Sequence, residues 1–166
     1  MKDALKFIQQ YINQPEQKIS IEQLYAECGI ELGQNEGQGM AYRVISGDLN
    51  FTGAGSVMKS LWLFAFRPNG ESDIHKHSNS TQYTCTWSGL GAMRLGSPAN
   101  AKNNVLSGQS IGHDPASDWI IIPPGTYHQA IAGDNEWCVV SFHTVSAAEL
   151  QDEPLDGVPH HYVAQV

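Results

Sequence analysis

The chain has 166 residues, 41% of them hydrophobic and 16% charged, with a formal net charge of −8. These values describe one globular domain with ample material for a core, and they exclude a disordered segment. The nine lysines and arginines are spread singly, so no basic stripe is available for nucleic acid, and the acidity serves solubility.

No apolar run approaches the length of a bilayer span, and residues 1–10 lack the apolar stretch of a secretion signal, so no membrane partner is expected. Cys28, Cys85 and Cys138 are odd in number, widely spaced and without a C-x-x-C pair. They read as reduced thiols of a cytoplasmic protein, each a small buried hydrophobe.

Residues 3–13 have helical periodicity, with Ala4, Leu5, Phe7, Ile8, Tyr11 and Ile12 recurring on one side. Pro15 is expected to stop this helix. Ser20 then opens a second helix, with Gln23 as its capping-box partner and Gly29 as its end. Residues 33–39 are a loop by composition. A strand follows at 40–45, then a glycine-rich turn region at 46–56. The run L-W-L-F-A-F at 61–66 is a strand with no polar alternation, which predicts burial on both faces.

Along 82–88, Gln82, Thr84, Thr86 and Ser88 share one face, while Tyr83, Cys85 and Trp87 share the other. Residues 90–95 and 119–122 are further strands, joined by a polar linker. Residues 128–131 and 137–145 read as a last hairpin turning at Gly133-Asp134-Asn135. Ser146 and Glu149 cap a short helix. The tail at 154–166 has no periodicity, and its His160 and His161 are expected in solvent. No internal repeat or second domain is evident. The chain divides into a helical cover and loop at 1–39, a β domain at 40–145 and a tail at 146–166.

The chemistry is concentrated in two segments. His75-Lys76-His77 places two imidazoles on one face of a strand, and Gln82 follows after the turn material Ser-Asn-Ser-Thr. The second segment, Pro123-Pro124-Gly125-Thr126-Tyr127-His128, sets one histidine after a tight corner. Gly70, His75, His77, Gln82 and Gly89 fall in the register G-x4-H-x-H-x4-E-x6-G, with Gln82 where glutamate is usual. Pro123, Gly125 and His128 match P-x-G-x2-H. In spacing and order these segments resemble the two motifs of the cupin superfamily. The resemblance implies an all-β jelly-roll barrel, with the N-terminal helices as its cover. It also implies one divalent metal ion inside, held by His75, His77, Gln82 and His128.

Three imidazoles and an amide oxygen suit a first-row ion: iron, manganese, nickel, cobalt or zinc. Gln82 is neutral and takes up no proton near neutral pH, so the ion keeps more of its charge than beside glutamate and is the stronger Lewis acid. The ligand set resembles that of cupins that convert unsaturated uronate sugars. The expected activity is therefore a non-redox isomerase, lyase or cyclase reaction on an oxygen-rich small molecule. Alternatives are an iron-dependent three-histidine dioxygenase and a non-catalytic small-molecule-binding or sensor module. Candidates for acid, base or substrate contact are His143, Tyr127 and Arg94. Tyr83 and Trp87, pointing away from the metal, need a cover: the N-terminal helices or a second subunit, and a homodimer is expected on that face.

Overall fold

A computed structural model describes residues 2–46, 58–97, 99–107 and 119–157. The predicted turn region after residue 46, much of the polar linker and both tail histidines, His160 and His161, lie outside the described residues. Two helices come first, α1 (Lys2–Ile12) and α2 (Pro15–Gln34). Among the described residues eight strands follow: β1 (Met40–Ser46), β2 (Ser60–Phe66), β3 (His75–His77), β4 (Gln82–Leu95), β5 (Lys102–Ser107), β6 (Ile120–Ile122), β7 (His128–His143) and β8 (Asp152–Pro154). They form one curled sheet in the order β1-β2-β7-β3-β8, with β4 pairing β5, β6 and β7. No helix among the described residues is long and apolar enough to cross a membrane.

Alternation on three strands decides what faces what. Leu61, Leu63 and Ala65 of β2 join Tyr83, Cys85 and Trp87 of β4 and Cys138, Val140 and Phe142 of β7 in one apolar cluster. Ile8 and Ile12 of α1 and Ile21, Cys28 and Leu32 of α2 pack into it from the helices. The alternate residues Phe66, Met93, Ala130, Trp137 and Val139 form a second cluster on the inner face of the sheet. The run at 61–66 lacks polar alternation because helices cover one face of β2 and the barrel interior the other.

Tyr83 and Trp87 are therefore roofed by the helices of their own chain. Trp87 is 9% exposed, and its indole N–H donates to Glu22 Oε1 of α2 at 2.8 Å. The aromatic pair thus offers no open face for a second subunit, and the reason for expecting a homodimer there is removed. Burying two large rings under an amphipathic helix pair serves the same need as a subunit contact.

Several boundaries differ from expectation. Pro15 sits in the first turn of α2, where its missing N–H costs nothing because that group has no helical partner. It starts the second helix as well as ending the first. Ser20 is internal to α2, its hydroxyl donating to the Glu16 carbonyl at 3.0 Å. Gly29 is internal too, with open space around it. The predicted last hairpin is absent. Residues 128–143 are one strand, and both of its halves pair antiparallel with β4. The residues expected to turn form an irregularity instead, since Gly89 faces Trp137 and Gly91 faces Ala132. Gly89 has φ 83°, and a Cβ there would overlap the Glu136 carbonyl, so the kink requires glycine. A second bulge lies between Thr86 and Ser88, after Gln82 and before Met93 on β4. Two strands were not anticipated: β5 in the polar linker and β8 at the start of the tail. The predicted cap at Ser146 and Glu149 is present around a 3-10 turn, Ala147–Glu149.

Candidate metal centre

β3 lies between β7 and β8, so the first motif is flanked on both edges. His75 faces His128 of β7, which brings the two motifs side by side. The corner at Pro123–Gly125 is tied to the same place, because the Gly125 N–H donates to the His77 carbonyl at 2.8 Å. Gly125 has φ 75°, so its position in the corner favours glycine as well. Ring centroids are 4.2 Å apart for His75 and His128, 5.0 Å for His75 and His77, and 4.9 Å for His77 and His128. One ligand nitrogen from each ring lies within 4.8 Å of the others.

Backbone carbonyls orient two of the rings. His75 Nδ1 lies 2.8 Å from the Asp73 carbonyl and His128 Nδ1 lies 3.1 Å from the Thr126 carbonyl. A carbonyl only accepts, so each Nδ1 carries the proton and each Nε2 keeps a free lone pair. Burial, then the charge of neighbouring His77, holds the His75 pKa below its ordinary value. Burial, followed by the charges of His75 and His77, holds His128 well below. Neutral imidazole is the form a cation needs.

Gln82 is 4% exposed and lies on the inner face of β4. Its amide nitrogen donates to Thr84 Oγ1 at 2.8 Å and to Ser141 Oγ at 3.1 Å, and the two hydroxyls lie 2.8 Å from each other. Its Oε1 is buried without a partner. Among the described residues, six buried side-chain polar atoms lack a hydrogen bond, and five of them are here: Gln82 Oε1, His77 Nδ1, His128 Nε2 and both carboxylate oxygens of Asp152. Unpaired buried polar atoms are costly and rare in folded proteins. Their concentration beside three histidines fits a cation, and the His75, His77 and His128 cluster can bind a metal ion.

The other candidates are placed as follows. His143 is 1% exposed and faces Gln82 directly across the β4–β7 pair. Its ring is 4.9 Å from that of His77 and 5.9 Å from that of Trp62, and its Nδ1 is 3.3 Å from Ser80 Oγ. Burial, then the charges of His77 and His75, pushes its pKa well below the ordinary value. His143 lines the same cavity as the three histidines and Gln82. Arg94 does not line it. Its guanidinium donates to Gln129 Oε1 at 3.1 Å and to Asn103 Oδ1 at 3.3 Å. Tyr127 does not line it either, and its ring lies 5.3 Å from Lys76 Nζ. The cavity is small, ≈ 30 Å³, which is room for an ion and one or two waters. Trp62, Phe64, Phe66 and Met93 form an apolar wall.

Sequence reasoning missed Asp152. It lies in an acidic tripeptide that looks like surface, and the only signal was its pairing potential. Lys76 and Glu153 are complementary, and they meet at 3.1 Å across β3 and β8, which sets Asp152 opposite His77.

No protein-family model matches the sequence, and no curated protein does. Solved structures do match. Coconut cocosin, an allergen, is 14% identical with a TM-score of 0.55, over 70% of this chain and 29% of that one. An 11S globulin from Wrightia tinctoria is 14% identical with a TM-score of 0.54, over 72% of this chain and 28% of that one. The chain thus spans under a third of the length of either neighbour. At such identity the likeness speaks for the fold alone, and both neighbours are cupin-fold proteins. The curled sheet, the two motifs and these neighbours agree that the chain has the cupin fold.

Proposed function

We propose that the protein is a metal-dependent enzyme in which His75, His77, His128 and Gln82 hold one divalent ion. Its chemistry is non-redox, of the isomerase, lyase or cyclase type, on a small molecule. The observation that carries this reading is the Gln82 side chain. Thr84 and Ser141 accept hydrogen bonds from its amide N–H groups, and its buried oxygen is left without a protein donor. When bound, the ion supplies a Lewis acid for a carbonyl or hydroxyl oxygen of the substrate.

The chain's own residues do the rest. The apolar wall at Trp62, Phe64, Phe66 and Met93 excludes water, and the ≈ 30 Å³ of the cavity admits only a small oxygen group of the substrate at the ion. His143, neutral and buried on the same cavity, is positioned to accept a proton, with Ser80 against its Nδ1. A second reading, an iron-dependent dioxygenase held by the three histidines, draws on the same triad and on the apolar wall.

The test is elemental analysis of purified protein, followed by turnover with and without oxygen. About one divalent ion per chain is expected, and His128→Ala should lose most of it. A variant with full occupancy would remove the metal centre. Turnover that consumes oxygen would replace the first reading with the second, and metal binding without any turnover would make the protein a binding module.

A further inference from the structure

We infer that Asp152 supplies the anionic ligand of this centre, in place of the carboxylate that the first motif lacks at Gln82. The inference rests on the metal-centre reading above.

Register puts Asp152 there. His77 and Asp152 are directly opposed on antiparallel strands, so their side chains share a face. The neighbouring pair, Lys76 and Glu153, points the other way and meets as a partly exposed ion pair. Burial follows that alternation, since the Asp152 side chain is 4% exposed and that of Glu153 is 46% exposed.

The geometry differs from that of an ordinary ion pair. Asp152 Oδ1 is 3.4 Å from His77 Nε2 and 4.0 Å from His75 Nε2, yet neither carboxylate oxygen makes a hydrogen bond. The His75 proton is on Nδ1, facing the Asp73 carbonyl, so its Nε2 lone pair faces a carboxylate. Two lone pairs aimed into one small space repel unless a cation lies between them. Ligand atoms about 2.1 Å from one ion stand about 3.0–3.4 Å from their neighbours, so Asp152 Oδ1 is already at ligand spacing from His77 Nε2, while the 4.0 Å to His75 Nε2 has to close when an ion binds. Asp152 is not part of the set of histidine nitrogens within 4.8 Å of one another. It approaches from the His75–His77 edge.

The segment is also held in place on both sides of Asp152. Ser78 Oγ donates to Gln151 Oε1 at 2.8 Å, and the Gln151 N–H donates to Asn79 Oδ1 at 3.0 Å. Asn79 Nδ2 donates to the Glu149 carbonyl at 2.6 Å, and the Leu155 N–H donates to the Ile74 carbonyl at 2.8 Å. Side-chain and backbone bonds thus fix a buried charge beside the histidines before any ion arrives, which is preorganisation for a ligand.

The test is cobalt(II) binding to wild type, Asp152→Asn and His128→Ala, read by affinity and by the visible spectrum. Asparagine keeps the shape and an acceptor oxygen but removes the charge. Asp152→Asn should bind cobalt at least about tenfold more weakly and with an altered spectrum. It should also be at least as stable as wild type in chelator at about pH 8, because an unpaired buried charge has been removed. Wild-type affinity and spectrum in Asp152→Asn would overturn the inference, leaving Asp152 as a buried carboxylate that does not touch the ion. A chelated variant clearly less stable than wild type would overturn it too, by showing that the carboxylate supports the fold itself. If His128→Ala also binds normally, the metal-centre reading has failed; if only Asp152→Asn does, this inference alone has failed.

Discussion

Gln82→Glu tests the site without any ion present. The wild-type amide makes two N–H bonds, to Thr84 and Ser141, and those hydroxyls share a third. A carboxylate brings no proton, so both hydroxyls must turn to donate to it, and their mutual bond is lost. One lost bond costs about 1 kcal/mol, and the charge-assisted character of the two new ones offsets about as much. What remains is an ionised carboxylate in a site 4% exposed. An uncompensated buried charge of this kind costs about 3 kcal/mol.

The sign with pH follows. Burial raises the folded pKa of the new glutamate, so the folded state holds a proton that the unfolded chain releases near pH 4. The penalty is absent in acid, grows as pH rises, and levels off about two pH units higher, since about 3 kcal/mol is about two pK units. Denaturant melts in chelator at about pH 8 should show the full loss, and added metal should recover it. A chelated variant as stable as wild type at that pH would mean that Gln82 does not sit in a dry hydroxyl cradle, and the argument from its unpaired oxygen would fall.

Three further outcomes are expected. The chelated wild type should lose stability on acidification below about pH 6.5, because His75, His128 and His143 all have depressed pKa values in the folded state and the unfolded chain takes up protons first. Each contributes up to about 1.4 kcal/mol per pH unit, and a flat profile between about pH 7.5 and 5.5 would contradict their burial as neutral rings. Trp87→Ala should destabilise by about 3–5 kcal/mol through the helix cover and leave the sedimenting mass unchanged; a drop in mass would show that the indole reaches a second subunit. Gly91→Ala should be destabilising by at least about 1–3 kcal/mol, because its Cβ would overlap the Trp137 ring, and a neutral effect in thermal melts would refute that packing.

The site was legible where its chemistry is local. H-x-H fixes two imidazoles by strand geometry alone, and the alternation at 82–88 assigned Gln82 inward and the aromatics outward. That assignment held because the bulge between Thr86 and Ser88 falls past Gln82. The reading failed where partners come from far along the chain. β5 is K-N-N-V-L-S, polar enough to pass as linker, and it becomes a strand because β4 offers a free edge at Leu90–Leu95. β8 has three residues and no periodicity, and only its pairing with β3 makes it a strand. Asp152 rides on that pairing. Pro15 misled in a different way, since the same residue that cannot continue one helix is well suited to begin the next.

The placement of charge leads to a last prediction, on anion binding at matched metal occupancy. With Asp152 as ligand, the ion's charge is partly neutralised from the His75–His77 edge, while the side toward Gln82, Thr84 and Ser141 carries only neutral groups. Gln82→Glu adds a negative charge there and should weaken a small carboxylate inhibitor. Asp152→Asn removes one and should strengthen it. Each change should be about 1–3 kcal/mol, the range for a single close charge in a partly dry pocket. Both variants should be compared with wild type by calorimetry, with metal content measured on the same samples. Opposite shifts are what two charges flanking one ion require. Shifts of the same sign would mean that the variants act through the shape of the cavity. The electrostatic account of this centre, including the role given to the neutral ligand Gln82, would then have to be abandoned.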